Sequence, residues 1–162
     1  MFAVPPNTVA LPADLAIAHP ARIALEFAAR RDRWAHLLRY DPDQRWAGLL
    51  ERTDGYEVWL LSWLPGQRTE LHEHGPATGA FTLITGALTE RVVRGVEVIH
   101  QLVAGQTRVF APGYVHQVRN AGTDPAVSIH VYRPSRHHRP VPGPLPALEA
   151  DDTCSCRARR ER

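Results

Sequence analysis

The stretch Gly66-Gln67-Arg68-Thr69-Glu70-Leu71-His72-Glu73-His74 places two histidines one residue apart behind a glycine. On an extended strand successive side chains point to opposite faces, so residues i and i+2 share one. Read as a strand, the stretch sets the His72 and His74 imidazoles side by side, where both can reach one ion, and turns Glu73 away from them. A second glycine-bounded segment runs from Gly105 through Ala111-Pro112-Gly113-Tyr114-Val115-His116 to Asn120. It ends on a predicted strand with another histidine, which offers a third ligand.

Around these segments the chain is written in short β-rich runs broken by glycine or proline, at 56–64, 80–85, 88–93, 96–103, 108–110 and 127–132. Short strands at close spacing predict an antiparallel sandwich or barrel. Upstream, Pro20 suits a first helical turn, and Ile23, Phe27, Trp34, Leu37 and Leu38 recur at roughly helical spacing up to Tyr40, which predicts a helix with one apolar face. Asp41-Pro42-Asp43 resembles a helix start and leads to Trp46, Leu49 and Leu50, so a short second helix is expected. Residues 1–19 read as an irregular arm, 20–133 as helices plus a single barrel with its core at 56–133, and 134–162 as a Pro-rich, basic, disordered tail.

A chain of 162 residues with 44% hydrophobic side chains suits one domain with one core. Its 19 basic and 17 acidic residues nearly cancel, so no strong field favours nucleic acid or anionic lipid. No apolar run approaches the roughly 20 residues of a membrane helix. A cytoplasmic monomer that meets small molecules, with no nucleic-acid or membrane partner, is the expectation. The two cysteines, Cys154 and Cys156, lie too close together to staple a fold, which excludes a disulfide framework.

The two histidine segments resemble the paired metal motifs of the cupin superfamily. The first reads Gly66, five residues, His72-x-His74, with Gly86 closing it, and the second matches at Gly105, Gly113, His116 and Asn120. In the second, the expected proline sits one place late, at Pro112. In the first, many cupins carry a glutamate ligand four or five residues after the second histidine, and this chain has Thr78-Gly79. Three neutral imidazoles without a carboxylate leave a divalent cation its full charge and up to three open positions in an octahedral arrangement. That departure narrows the resemblance to the thiol dioxygenases, typified by cysteine dioxygenase, which hold ferrous iron with three histidines. Ser128-Ile129-His130-Val131-Tyr132 is similar to the Ser-x-His-x-Tyr relay beside the iron in that family, and the resemblance covers roughly 56–132.

The resemblance implies a mainly β cupin barrel (a double-stranded β-helix, or jelly roll) with N-terminal helices. It implies Fe(2+) on His72, His74 and His116, catalytic roles for Tyr132, His130 and Ser128, and oxidation of a small thiol by O2 to the sulfinate, the thiol being L-cysteine or a relative such as 3-mercaptopropionate. Animal members cross-link a cysteine to the relay tyrosine, whereas many bacterial relatives have glycine there; Gly79 holds that place, which implies no thioether to Tyr132. The family arginine that grips the substrate carboxylate aligns with Ala47 or Gly48, so its role passes to a neighbour. Arg45, Gln67 and Arg68 are candidates, and Arg52 is the assignment. Two other classes stay open: a non-catalytic cupin that binds a metal or ligand, and a metal-dependent cupin isomerase or lyase. Trp59 and Trp63 share a strand face and read as sheet packing, and His19, His36, His100, His137 and His138 as surface or hydrogen-bonded groups.

Overall fold

A computed structural model describes residues 18–133; the expected tail and nearly all of the expected arm, with His137, His138, Cys154 and Cys156, lie outside the described residues. Helix α1 spans Pro20–Ala29. Pro20 has no N–H to leave unsatisfied, and His19 Nδ1 accepts the Ala21 N–H at 3.1 Å as the cap. Ile23, Ala24 and Phe27 form its buried face. The helix is shorter than the apolar spacing predicts, because two 3-10 turns, Arg31–Arg33 and Ala35–Leu37, follow it. Trp34 keeps the spacing going by folding back: it is buried, with its indole N–H donating to the Phe27 carbonyl at 3.0 Å.

The expected second helix is a strand. β1, Trp46–Arg52, pairs antiparallel with β2, Glu57–Trp63. Asp41 does accept the Asp43 and Gln44 N–H groups, at 2.9 and 3.3 Å, but this closes a turn and caps no helix. The β1–β2 register shifts between Leu49 and Glu51, and such a bulge breaks strict alternation and imitates helical spacing.

The remaining strands are β3 (His72–Glu73), β4 (Thr78–Thr85), β5 (Ala87–Arg94), β6 (Val96–Val103), β7 (Thr107–Phe110), β8 (Val115–Arg119) and β9 (Ala126–Arg133). They form two antiparallel sheets, one ordered β1-β2-β9-β4-β7 and the other β3-β8-β5-β6. This is the mainly β cupin architecture, a double-stranded β-helix, with one short helix at its N-terminal side. Between β4 and β5 the backbone turns at Gly86, whose φ is 78° and where a Cβ would stand 2.7 Å from the Pro125 carbonyl oxygen, so only glycine fits.

Two cores flank the five-stranded sheet. On its outer face Val58, Leu60, Val127, Ile129 and Val131 pack against Ile23, Ala24, Phe27 and Trp34. On its inner face Leu61, Trp63, Phe81 and Leu83 meet Leu88, Leu102 and Val118 of the other sheet. Strand alternation therefore delivers Ser128, His130 and Tyr132 to the space between the sheets. No helix among the described residues is long and apolar enough to cross a membrane.

Candidate metal centre

His72 on β3 and His116 on β8 are directly opposed Cα partners. The ladder leading to them is fixed from outside: the Thr69 N–H donates to the Val118 carbonyl at 2.9 Å, and Arg68 bridges Arg119. Asn120, almost fully buried, donates to the carbonyls of Trp63 (3.0 Å) and Asp124 (2.8 Å) and accepts the Gly122 N–H at 2.9 Å. Its own carbonyl accepts the Gly66 N–H at 2.9 Å. The glycine of the first motif and the asparagine of the second thus tie the two segments together.

The ligand atoms of His72, His74 and His116 all lie within 4.8 Å of one another, and Glu73 is not among them. His74 Nε2 stands 3.1 Å from His116 Nε2. Two nitrogens bound about 2.1 Å from one ion, at right angles, would be roughly 3 Å apart, so the spacing fits a shared ion. The tautomers agree. His72 Nδ1 is 2.8 Å from the Glu70 carbonyl oxygen, and His116 Nδ1 is 2.8 Å from Glu90 Oε1. Both partners only accept, so each Nδ1 carries the proton and each Nε2 turns a lone pair to the centre. Among the described residues no carboxylate joins the three.

Beside this cluster runs a hydrogen-bonded line. Trp63 Nε1 donates to Ser128 Oγ at 2.9 Å, Ser128 Oγ lies 2.9 Å from His130 Nε2, and His130 Nδ1 lies 3.3 Å from the Tyr132 hydroxyl. Burial, with the charge of Arg45 added to it, holds His130 well below the ordinary 6.5, so the ring is neutral at pH 7. An indole N–H can only donate. Ser128 Oγ therefore accepts from Trp63, and its second lone pair and its own proton both remain open to His130 Nε2. When Ser128 gives its proton to Nε2, the neutral ring carries its own on Nδ1 and donates to the Tyr132 oxygen, which leaves the Tyr132 O–H to point elsewhere. The ring centroid of Tyr132 is 4.9 Å from that of His74. Trp63, which the strand pattern assigned to packing alone, heads this line.

Arg52, Glu57, Tyr132 and Gly79 are successive Cα partners across β1, β2, β9 and β4, so the side chains of the first three share the inner face, onto which Gly79 opens bare backbone. Arg52 Nε donates to Glu57 Oε1 at 3.0 Å, and the buried Glu57 also accepts the Trp59 indole N–H at 3.1 Å. The alternatives are engaged differently. Arg45 lies over the Trp63 ring, 4.8 Å from its centroid. Gln67 accepts the Leu64 N–H and donates to the Asp41 carbonyl, both at 2.8 Å. At Gly79 an added Cβ would run into the Phe110 ring and come within 2.5 Å of the Val131 carbonyl oxygen. A bare backbone there is what lets Phe110 stack on His74, with centroids 4.9 Å apart.

Sequence reasoning missed Glu90. It lies on β5, is fully buried, and accepts from Arg108 Nε at 2.7 Å as well as from His116. Burial pushes its carboxyl upward, but the hydrogen bonds of His116 and Arg108 and the charge of Arg108 outweigh this and hold it below the usual range. The signal was present: Glu90 falls in phase with Leu88 and Val92, where strand alternation calls for an apolar residue.

Fold and site define a cupin with a three-histidine group that could hold a metal ion. The chain belongs to the cysteine dioxygenase type I family, whose model matches residues 16–139. Among solved structures it is similar to a Thermus thermophilus protein, with 25% identity over 62% of this chain and 92% of that one and a TM-score of 0.57. It is also similar to a Klebsiella pneumoniae protein with a double-stranded β-helix domain (23% identity, 64% and 89% covered, TM-score 0.58). A cupin superfamily protein of Desulfitobacterium hafniense shares the fold at 14% identity, with 62% and 87% covered and a TM-score of 0.54.

Proposed function

We propose that the chain is a non-haem iron thiol dioxygenase that places both atoms of O2 on the sulfur of a small thiol, L-cysteine or a relative such as 3-mercaptopropionate, to give the sulfinate. The reaction balances without a further reductant: sulfur gives up four electrons, O2 takes four, and every atom ends in the product. Iron on His72, His74 and His116 would supply a Lewis acid that lowers the thiol pKa and a centre at which oxygen reacts.

The rest falls to the chain's own side chains. Tyr132, receiving a hydrogen bond from His130, directs its O–H at the charge that develops on the reacting atoms, a donor placed in advance. Ser128 and Trp63 keep His130 in the tautomer this requires. Glu57 holds the Arg52 guanidinium by its Nε, and the terminal nitrogens of Arg52 serve the substrate carboxylate. Phe81 stacks on His130 and Phe110 on His74, which keeps the floor of the site apolar.

The observation that carries the reading is the adjacency of the three converging imidazoles and the Ser128–His130–Tyr132 line. A metal-binding cupin without catalysis needs the first and has no use for the second. The test is oxygen uptake and sulfinate formation by protein loaded with ferrous iron and given a panel of small thiols. Stoichiometric uptake and sulfinate with at least one thiol is expected. Absence of both with every thiol tried, from protein that holds its iron, contradicts the reading.

A further inference from the structure

Glu90 answers a question that the three histidines raise. Its carboxylate is fully buried, and an ionised carboxylate away from water costs several kcal/mol unless it is paired and hydrogen-bonded. A salt bridge to Arg108 Nε at 2.7 Å would alone account for its burial. The geometry goes further. Oε1 accepts the Nδ1–H of His116 at 2.8 Å, and the Tyr114 hydroxyl, itself 3.1 Å from Arg108 Nη2, closes the group at 3.3 Å from the same oxygen. Arg108 and Tyr114 hold the carboxylate from one side, and the carboxylate holds the ring from the other. His72 rests its Nδ1–H on a neutral backbone carbonyl, that of Glu70. His116 rests on an anion.

We propose that Glu90 is the positioning carboxylate of the metal centre: it fixes the ring and tautomer of His116 and lends the ion a negative charge from one residue away, where the first metal motif has Thr78-Gly79 in place of a glutamate ligand. This rests on the reading of His72, His74 and His116 as ligands. A carboxylate behind a ligating imidazole makes the ring a better donor and locks its aim, and losing such a partner weakens metal affinity roughly 10- to 100-fold. Arg108 neutralises part of the charge and sets how much of it reaches the ion.

The experiment measures affinity for ferrous iron and for cobalt(II) under anaerobic conditions, by chelator competition, in the full chain and in Glu90→Gln, Glu90→Leu, Arg108→Met and His116→Ala. Glu90→Gln keeps an acceptor for His116 and loses the charge, so a roughly 10-fold weakening is expected; Glu90→Leu loses both and approaches 100-fold. Arg108→Met leaves affinity unchanged or higher while lowering the melting temperature. If Glu90→Gln and Arg108→Met lower the melting temperature alike and neither changes affinity by twofold, Glu90 is a structural ion-pair partner and the proposal is wrong. His116→Ala separates the two readings: unaltered metal binding in that variant removes the ligand set itself. A measurement on the unsubstituted protein stands whether or not the variants fold. Nitrogen-15 spectra of the zinc-loaded chain should show the His116 proton on Nδ1, and a proton on Nε2 overturns the proposal.

Discussion

Strand β9 is buried on both faces, and the two faces do opposite work. Val127, Ile129 and Val131 meet the helix in an all-apolar layer. Ser128, His130 and Tyr132, one residue out of step, line the side of the three-histidine cluster, and their side-chain polar atoms meet partners two residues or one strand away. The apolar face tolerates any residue of the right volume, because burial is non-directional. The polar face tolerates few changes, because each group sets the proton position of the next. Stability and chemistry are thus separated by the pleat of one strand, and substitutions on the two sides should fail in different ways.

The largest effect is expected on the apolar side. Ile129→Ala should cost about 2–5 kcal/mol of stability by opening a cavity beneath α1. Denaturant titration checks this, and turnover per bound iron in the folded fraction should not change. Across the pleat, Tyr132→Phe removes a single hydroxyl, so the melting temperature should barely move. Turnover should fall about 100-fold, the order expected for losing one preorganised donor. A variant with full turnover would break the comparison.

Gly79→Ala probes the boundary between the two sides. Its Cβ must displace the Phe110 ring and crowd a backbone carbonyl, at a cost of about 1–3 kcal/mol. Calorimetry reads the loss. A methyl group accepted without cost would mean that Phe110 does not lie where it shields His74.

A smaller effect concerns pH. His130 is held well below 6.5 in the folded chain and returns to about that value when unfolded. Above pH 6.5 the group is neutral in both states and its contribution is constant. As pH falls below 6.5 the unfolded chain takes up a proton that the folded chain refuses, so stability declines. Denaturant midpoints from pH 7.5 to pH 5 should fall less steeply in His130→Gln than in the unsubstituted chain. Equal slopes would mean that the fold does not hold His130 below its ordinary value.

The fold was largely legible, because its strands announce themselves by alternation and its turns by glycine; the runs at 56–64, 96–103 and 127–132 lie within two residues of β2, β6 and β9. The misreading at 41–50 has a local cause. Asp41 makes the hydrogen bonds of a cap, and the bulge after Leu49 sets Trp46, Leu49 and Leu50 at helical spacing, while pairing with β2 decides the conformation. The three converging histidines were legible because two of them are neighbours on one strand and the third is framed by its own glycines. Glu90 and Trp63 were not. Their partners, His116 and Ser128, stand 26 and 65 residues away, so although the phase of Glu90 with Leu88 and Val92 marks a buried carboxylate, no local spacing names what it meets.

The central claim is that three imidazoles share one ion, and anaerobic titration with ferrous iron tests it most directly. The account predicts one equivalent bound tightly by the full chain and loss of that binding in each of His72→Ala, His74→Ala and His116→Ala. Undiminished binding of iron by any of the three variants would contradict it.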